Sequence, residues 1–233
     1  MKSVIVGSVS SNYGKKMKTC CVCEASAGIP FQQIDGRHYW RCQHCQATWL
    51  DSQHHLCAQA ELAEYQLHEN NLHDSGYRDF LTRISEPLQN RLQPGAEGLD
   101  FGCGPGPLLA QMLEEAGFRM HKYDPYFHPE RATLAREYDF VTCTEVAEHF
   151  YAPAQEFALL RSLIRPGGWL ALMTCFQTDD SRFANWSYRR DPTHVVFYKA
   201  ETFMTLAQMW GWQCEIPRKD VVLLQKPRTE SPS

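Results

Sequence analysis

The pattern of hydrophobic and polar positions separates a helical stretch of the chain from a longer stretch in which two periods alternate. Over residues 56–92 apolar side chains recur at three- and four-residue steps, as at Tyr77, Phe80 and Ile84, a spacing typical of helices. After Pro94 short apolar runs alternate with amphipathic stretches. They predict strands at EGLDF, RMHKYD, YDFVTCTEV, WLALMTCF, WQCEIP and VVLLQ, and helices at GPLLAQMLEEAGF, PAQEFALLRSLI and AETFMTLAQMW. We therefore expect an α/β fold with a doubly wound, parallel-rich sheet covered by helices on both faces.

The same pattern predicts how the chain is divided. Residues 1–19 are polar and are expected to form a flexible leader, and residues 20–55 carry the cysteine pairs of a small metal-stapled unit. Residues 56–94 are expected to form a helical linker region, and residues 95–225 the main α/β domain. Residues 226–233 are expected to form a disordered tail. Within the main domain, Pro166-Gly167-Gly168 predicts the end of the second helix.

Composition narrows the classes of partner. The chain has 233 residues, of which 43% are hydrophobic, so it can bury a sizeable core. Its net charge of −4 gives no global basic field, so a nucleic-acid partner is possible but not favoured. No apolar run approaches the roughly 20 residues that cross a membrane, and no secretory signal is recognised. Ten cysteines without such a signal indicate a reducing compartment, and we expect a cytoplasmic protein.

A glycine-rich loop follows the first predicted strand of the main domain, in LDFGCGPG at residues 99–106. Three glycines within five residues suggest that the backbone approaches a ligand closely at the carboxyl end of this strand. Asp124, eighteen residues after Gly106, ends the next predicted strand, where its carboxylate can bind both ribose hydroxyls of a nucleoside cofactor. A dinucleotide fingerprint would require glycine where Pro107 stands, which makes a nicotinamide dehydrogenase the more distant alternative.

This loop resembles the first motif of class I S-adenosylmethionine (SAM) methyltransferases. YDFVTCTEVAEHF and LIRPGGWLALMT resemble that family's fourth- and fifth-strand passages, so the resemblance covers about residues 95–225. It implies a Rossmann-like sheet that binds SAM through Asp100, Phe101, Gly102, Cys103, Gly104, Pro105, Gly106, Tyr123, Asp124, Pro125, Thr144, Glu145 and Val146. Only fourteen residues separate Pro125 from Phe140, so the family's third strand is expected to be short or absent, and the adenine contacts are not assigned.

Two cysteine pairs precede the linker region. Cys20 and Cys23 are separated by two residues, as are Cys42 and Cys45, and eighteen residues lie between the pairs. This spacing can supply four thiolates to one structural Zn²⁺, with Cys21 as a less suitable ligand and free core cysteines as the alternative. The segment HYWRCQHCQATWLD resembles the zinc ribbon that precedes the methyltransferase domain in a group of bacterial proteins without one agreed substrate.

A hydroxyl or amine acceptor must lose a proton on methylation, and histidine is the side chain best suited to accept it near neutral pH. The candidates are His194, in YRRDPTHVVFY, and His149, in EVAEHF; a turn-capping or helix-capping role is the alternative for each. Around His194 the expected neighbours are an orienting acid, Asp191, and two arginines for an anionic substrate group, Arg189 and Arg190. Trp186 and Tyr188 are candidates for the walls of the acceptor site, with packing against the buried strand as the more common role of such aromatic residues. Glu148 is expected on the helix that follows the fourth strand.

The leading hypothesis is a SAM-dependent methyltransferase that acts on a small-molecule acceptor. The first alternative is an RNA or protein methyltransferase in which the ribbon docks the substrate, since Lys15 to Lys18, Arg37 and Arg41 give the N-terminal part some basic character. The second alternative is a SAM-binding protein without catalytic turnover.

Overall fold

A computed structural model describes residues 17–66 and 75–228 of the chain. Most of the predicted leader, the middle of the predicted linker and the last five residues of the predicted tail lie outside these residues. In chain order the elements are β1 (Gly28–Ile34), β2 (Arg37–Cys42), β3 (Thr48–Leu50), α1 (Ala58–Tyr65), α2 (Ser75–Gln89), β4 (Glu97–Phe101), α3 (Leu108–Glu115), β5 (Arg119–Tyr123), β6 (Tyr138–Thr144), α4 (Pro153–Ser162), β7 (Ile164–Met173), β8 (Val196–Phe197), α5 (Ala200–Trp210), β9 (Gln213–Arg218) and β10 (Val221–Gln225).

Six strands form the main sheet, in the order β5-β4-β6-β7-β10-β9. β4 pairs in parallel with β5 and β6, and β6 pairs in parallel with β7. β10 is antiparallel to both β7 and β9. Between β5 and β6, where every residue is described, the chain forms a short 3₁₀ turn, Arg131–Ala135, in place of the family's third strand. The predicted parallel-rich α/β sheet is confirmed, with β5 as one edge strand.

Side chains that alternate along the strands explain why helices cover both faces of this sheet. On one face Phe140 and Ala171 share a core cluster with apolar side chains of α2 and α3. On the other face Val141 shares a core cluster with apolar side chains of α4 and α5, such as Phe157 and Phe203. The sheet is therefore doubly wound, as the sequence predicts.

The N-terminal part forms a second sheet, in the order β1-β2-β3-β8, in which all pairs are antiparallel. We call residues 17–55 the ribbon. Lys18, assigned to the leader by sequence, belongs to the ribbon, because it pairs with Gly28 and its ammonium lies 2.6 Å from the Asp51 carboxylate. β8 comes from the main domain, so the two parts share a sheet.

The structure corrects the interpretation of Pro166-Gly167-Gly168. α4 already ends at Ser162, and the three residues lie inside β7. Gly167 has a φ of +80°, which glycine adopts without strain. Backbone hydrogen bonds link it and its neighbour to Lys226, which therefore belongs to the fold and not to the predicted tail.

Within the described residues, no helix combines the length and the apolar character that a membrane-spanning segment requires.

Candidate functional site

A cavity of about 750 Å³ lies where β4, β5 and β6 end. Because these strands are parallel, their carboxyl ends meet at one edge of the sheet, which is where doubly wound folds bind their ligands. The cavity volume lies within the range of ordinary small-molecule sites. Loops after the three strands supply most of its lining, and the helices α1 to α4 and the segment before β8 supply the rest.

The loop after β4 has the shape that its glycines predict. Gly102 and Gly104 have φ values of +74° and +63°, a conformation that favours glycine. A Cβ atom on Gly102 would lie 2.5 Å from a methyl group of Val146, so no larger residue fits there. The absence of side chains leaves bare backbone facing the cavity, as a closely bound ligand requires.

Two aspartates lie at the base of this loop. Asp124 accepts hydrogen bonds from three backbone amides, those of Gly104 at 3.1 Å, Tyr126 at 2.9 Å and Phe127 at 3.0 Å. It therefore holds the glycine loop against the end of β5, a role that the sequence did not reveal. Asp100 is buried and accepts a 2.7 Å hydrogen bond from the Thr142 hydroxyl. Burial raises the pKa of Asp100 to about 6.

The cavity brings together all thirteen residues that the sequence proposes as SAM contacts, and both candidate histidines. Its lining includes Asp100, Phe101, Gly102, Cys103, Gly104, Pro105, Gly106, Tyr123, Asp124, Pro125, Thr144, Glu145, Val146, His149 and His194. That each of them contacts SAM or the acceptor stays a prediction.

The rings of the two candidate histidines meet edge to face, with centroids 4.7 Å apart. Nδ1 of His194 lies 2.7 Å from the Tyr188 carbonyl, and Nδ1 of His149 lies 3.2 Å from the Thr193 carbonyl. A carbonyl can only accept, so in the neutral form of each ring Nδ1 carries the proton and Nε2 carries the lone pair. Burial lowers the pKa of His194, which keeps this ring neutral at physiological pH.

Glu148 completes the group around the histidines. It lies on the 3₁₀ turn Ala147–His149 and not on the following helix, which corrects the expectation from sequence. Its side chain is fully buried, and a carboxylate oxygen lies within 4.8 Å of a ring nitrogen of each histidine. Tyr188 donates a 2.5 Å hydrogen bond to Oε1 of Glu148. Sequence reasoning missed this role because burial at a turn carries no periodic signal.

Two buried oxygen atoms at the cavity have no hydrogen-bond partner among the described residues, Oε2 of Glu148 and Oγ1 of Thr144. A buried polar atom without a partner costs about 1–3 kcal/mol, so such atoms are expected where a ligand supplies the missing bond. Their residues fit a site that binds a polar ligand between β6 and the histidines.

Glu145 is the second carboxyl group of this region. Its φ of +52° is unusual for a residue with a side chain and indicates a constrained backbone at the end of β6. Its Oε2 lies 3.3 Å from the Tyr188 hydroxyl, which thus connects the two glutamates. Burial and the nearby Glu148 raise the pKa of Glu145 to about 9, so this carboxyl group is protonated at neutral pH.

The structure corrects the remaining expectations around His194. Asp191 accepts hydrogen bonds from Thr193, and its other oxygen is 3.8 Å from Nε2 of His194, so the Tyr188 carbonyl orients the ring instead. Arg189 is buried and donates to Tyr39, and Arg190 is exposed. Neither arginine lines the cavity, nor do Trp186 and Tyr188.

Aromatic residues close the cavity, and the sequence did not identify them. Tyr65 of α1 packs edge-on against His149 at 5.4 Å and is hydrogen-bonded to Glu61, which also binds the Tyr126 hydroxyl. Tyr77 of α2 and Tyr151 lie on other parts of the wall. The helical period of the linker indicates a helix, but which of its side chains meet β6 depends on tertiary packing.

The four cysteines form a separate buried cluster in the ribbon. Their Sγ atoms all lie within 4.8 Å of one another, with 3.7 Å between Cys20 and Cys45 and 3.6 Å between Cys23 and Cys42. Four thiolates at about 2.3 Å from a tetrahedral Zn²⁺ would be roughly 3.8 Å apart. Backbone amides approach two of the sulfurs at 3.4 Å, an arrangement that favours thiolates over free thiols. The cluster fits a four-coordinate metal.

A glycine loop and an acidic strand end on a doubly wound parallel sheet define a nucleoside-binding class of protein. A family model described as a methyltransferase domain matches residues 71–215, which is more than half of the chain. The chain therefore belongs to this family of methyltransferase domains, which confirms the class that its glycine loop predicts.

Curated relatives align with part of the chain. A ubiquinone biosynthesis O-methyltransferase of Burkholderia thailandensis is 28% identical over an alignment that covers 35% of this chain and 45% of the relative. The relative of the same description from Aromatoleum aromaticum is 32% identical, with coverages of 34% and 44%. The alignments thus span less than half the length of these relatives.

Solved structures resemble the chain more distantly. The 1,6-didemethyltoxoflavin-N1-methyltransferase of Burkholderia thailandensis, solved with bound 1,6-didemethyltoxoflavin and S-adenosylhomocysteine, has a TM-score of 0.45 and 20% identity, and the match covers 85% of this chain and 99% of that one. The magnesium protoporphyrin IX methyltransferase of Synechocystis, solved with bound SAM, has a TM-score of 0.44 and 15% identity, with coverages of 71% and 90%.

Proposed function

We propose that this protein transfers a methyl group from SAM to a hydroxyl group of a small molecule that carries no negative charge. One observation carries the proposal: the glycine loop, Asp124 and two histidines line the same cavity. The names of the relatives, which describe O-methyltransferases, support a hydroxyl as the acceptor.

The cofactor end of the cavity comprises the glycine loop and Asp124. SAM, when bound, supplies an electrophilic methyl group. The bare backbone after β4 leaves room for its methionine part. Asp124 accepts three backbone amides and has one of its roughly four acceptor positions left for a ribose hydroxyl. Alignment of the two reactants, with water excluded, is the main contribution that a protein makes to such an in-line displacement.

The acceptor end comprises the histidines and Glu148. Nε2 of His194 is the candidate base, since its lone pair can take the hydroxyl proton as the oxygen attacks. The positive charge that forms on the ring would be stabilised by Glu148, whose carboxylate lies within 4.8 Å of it. His149 is the candidate second base and shares the same carboxylate.

The charge of the lining favours an acceptor without an anionic group. Four glutamates line the cavity, Glu61, Glu145, Glu148 and Glu156, of which Glu145 keeps its proton at neutral pH and adds no negative charge. Among the described residues that line the cavity, the one arginine or lysine is Arg131, which comes from the turn between β5 and β6. A carboxylate or phosphate on the acceptor would therefore be repelled, whereas an ammonium group would be attracted.

Ion pairs within the protein weaken the alternative of a nucleic-acid substrate. Of the basic residues in the N-terminal part, Lys18 pairs with Asp51 at 2.6 Å and Arg41 pairs with Asp180 at 2.9 Å. Lys15 and Lys16 lie outside the described residues. Charges that are already paired contribute little to phosphate binding.

The transfer itself is tested with two phenols of matched size and opposite charge. With methyl-labelled SAM we expect the rate of methylation of tyramine to be at least roughly tenfold higher than that of 3-(4-hydroxyphenyl)propionate. The glutamates that line the cavity attract the ammonium group of the first compound and repel the carboxylate of the second. Heat-inactivated protein is the control. Equal rates, or a preference for the acid, would contradict the proposed acceptor class, and transfer to neither would leave the hydroxyl proposal without support.

Asp124→Asn should weaken SAM binding more than about tenfold in isothermal titration calorimetry, because an amide cannot accept at both positions. Since Asp124 also holds the glycine loop, thermal unfolding is measured in parallel. Asp139→Asn is the matched control, because Asp139 lies near the start of β6, at the opposite end, and binds the Glu97 amide and Arg165. Identical dissociation constants for Asp124→Asn and the unmodified protein would remove Asp124 from the cofactor site.

His194→Gln should lower kcat about a hundredfold or more while SAM affinity is kept, because glutamine cannot accept the proton of the acceptor hydroxyl.

The pH dependence tests the same residue. In the unmodified protein, kcat/KM for the acceptor should rise with pH through an apparent pKa below about 6.5 and then level off, since burial lowers the pKa of His194 and only the neutral ring is a base. The charged groups that face the ring are Glu148, His149 and Asp191. His54→Gln, in the ribbon, is the control; an unaltered acid limb in His194→Gln would assign the base elsewhere.

We further propose that Cys20, Cys23, Cys42 and Cys45 bind one Zn²⁺, which four thiolates would make structural and not catalytic. Atomic emission should find about one zinc per chain in the purified protein. Cys45→Ser should lose most of it, while Cys57→Ser, at an exposed cysteine outside the cluster, should keep it. A metal content that does not depend on Cys45 would contradict the proposal.

A further inference from the structure

The ribbon is joined to the acceptor end of the cavity by backbone hydrogen bonds. β3 pairs with β8, which begins two residues after His194. The amide of Leu50 donates to the Val195 carbonyl at 2.8 Å, and the amide of Val195 donates to the Glu148 carbonyl at 2.8 Å. Val195 thus links the ribbon directly to the backbone of both His194 and Glu148.

A polar network built on the buried Arg41 holds both ends of residues 177–198, the segment that contains His194. Arg41 is 6% exposed and binds both carboxylate oxygens of Asp180, at 3.2 and 2.9 Å. It also donates to the Thr48 hydroxyl at 2.7 Å, which in turn donates to Gln177 at 2.8 Å. The backbone amide of Gln177 donates to the Tyr198 carbonyl at 2.7 Å, so the network spans residues 177–198.

Aromatic packing holds the middle of the segment. Phe183 is buried between Phe31 and Tyr39 of the ribbon, with ring centroids 5.3 and 5.1 Å away. Arg189 donates to the Tyr39 hydroxyl at 3.1 Å. Ribbon side chains therefore contact the segment on both sides of Tyr188, the residue whose carbonyl orients His194.

The cofactor end is held by different contacts. The glycine loop is fixed by hydrogen bonds from the Gly102 amide to the Tyr123 carbonyl, at 2.7 Å, and from the Gly104 amide to Asp124. These contacts lie between β4 and β5, at the edge of the main sheet.

We propose that the ribbon positions the side chains at the acceptor end of the cavity. Its metal-bound fold holds residues 177–198 in place, and with them His194 and Glu148. The structure of the cofactor end does not depend on the ribbon. Asp180, Arg41 and Thr48 are then positioning residues. This inference rests on the proposed transfer function for its kinetic consequences only, because its structural consequences can be measured without an acceptor.

Hydrogen exchange of the full chain tests the structural half, with the zinc-loaded protein compared to protein treated with a chelator. We expect the Leu50 and Val195 amides to exchange at least about tenfold faster after chelation, while amides of β4 and SAM binding are unchanged. Unchanged protection at Val195 would overturn the proposal. Equal loss of protection in β4 would also overturn it, since the ribbon would then support the whole fold.

A pair of neighbouring aspartates tests the kinetic half without removing metal. Asp180→Ala removes the carboxylate that joins Arg41 of the ribbon to Gln177 and Lys199 of the main domain, whereas Asp179→Ala removes an exposed carboxylate that caps Ser181 locally. We expect Asp180→Ala to lower kcat for the acceptor about tenfold, with SAM affinity within about twofold and zinc content unchanged. Asp179→Ala should change none of the three.

A second readout separates positioning from general destabilisation. The pKa of His194, followed by NMR, should move toward its ordinary value in Asp180→Ala because the ring becomes more exposed, and should stay in place in Asp179→Ala. An unshifted His194 together with unchanged kcat in Asp180→Ala would overturn the proposal. If no acceptor is methylated by any form of the protein, the transfer function fails, while hydrogen exchange and the His194 titration still decide this inference.

Discussion

The parallel pairing of β4 with β5 and β6 is the constraint on which the site depends. It forces three acidic strand ends, Asp100, Asp124 and Glu145, to one edge of the sheet, where their charges would repel one another. Each is accommodated differently. Asp124 accepts three backbone amides, Asp100 accepts a hydroxyl, and Glu145 keeps its proton because burial raises its pKa to about 9. The result is an edge with unused acceptor capacity, which suits a ligand rich in hydroxyl and ammonium groups.

The sequence predicts the part of this site that is local. EGLDF, AETFMTLAQMW and VVLLQ coincide with β4, α5 and β10, because the period of a single element is set by the surface it buries. The glycine loop and Asp124 could be placed together since parallel strands end at one edge. What could not be predicted depends on contacts between distant stretches: the burial of Glu148, the orientation of His194 by a carbonyl, and the pairing of β8 with β3. The local sequence Pro166-Gly167-Gly168 favours a turn, but backbone hydrogen bonds with the distant Lys226 hold these residues in a strand.

Buried polar groups at the acceptor end lower the stability of the fold. Glu148 is fully buried, with one oxygen that has no partner among the described residues, and Glu145 has a left-handed backbone. Each such feature costs about 1–3 kcal/mol, and a site selected for stability alone would replace them. Their concentration beside two imidazoles is the pattern expected of groups retained for function.

The two ends of the cavity are supported by different parts of the fold, and this difference explains why the ribbon packs against the acceptor end. The cofactor end needs one loop and the neighbouring strand end, which the shared sheet supplies. The acceptor end needs a turn after β6 and a loop before β8, and the second of these covers residues 174–195 with only short turns of its own. A segment of that length loses much conformational entropy when ordered, so it requires an external support. Ribbon strands that precede the matched domain contact this segment, and the proposed Zn²⁺ would make their fold rigid with little core of its own.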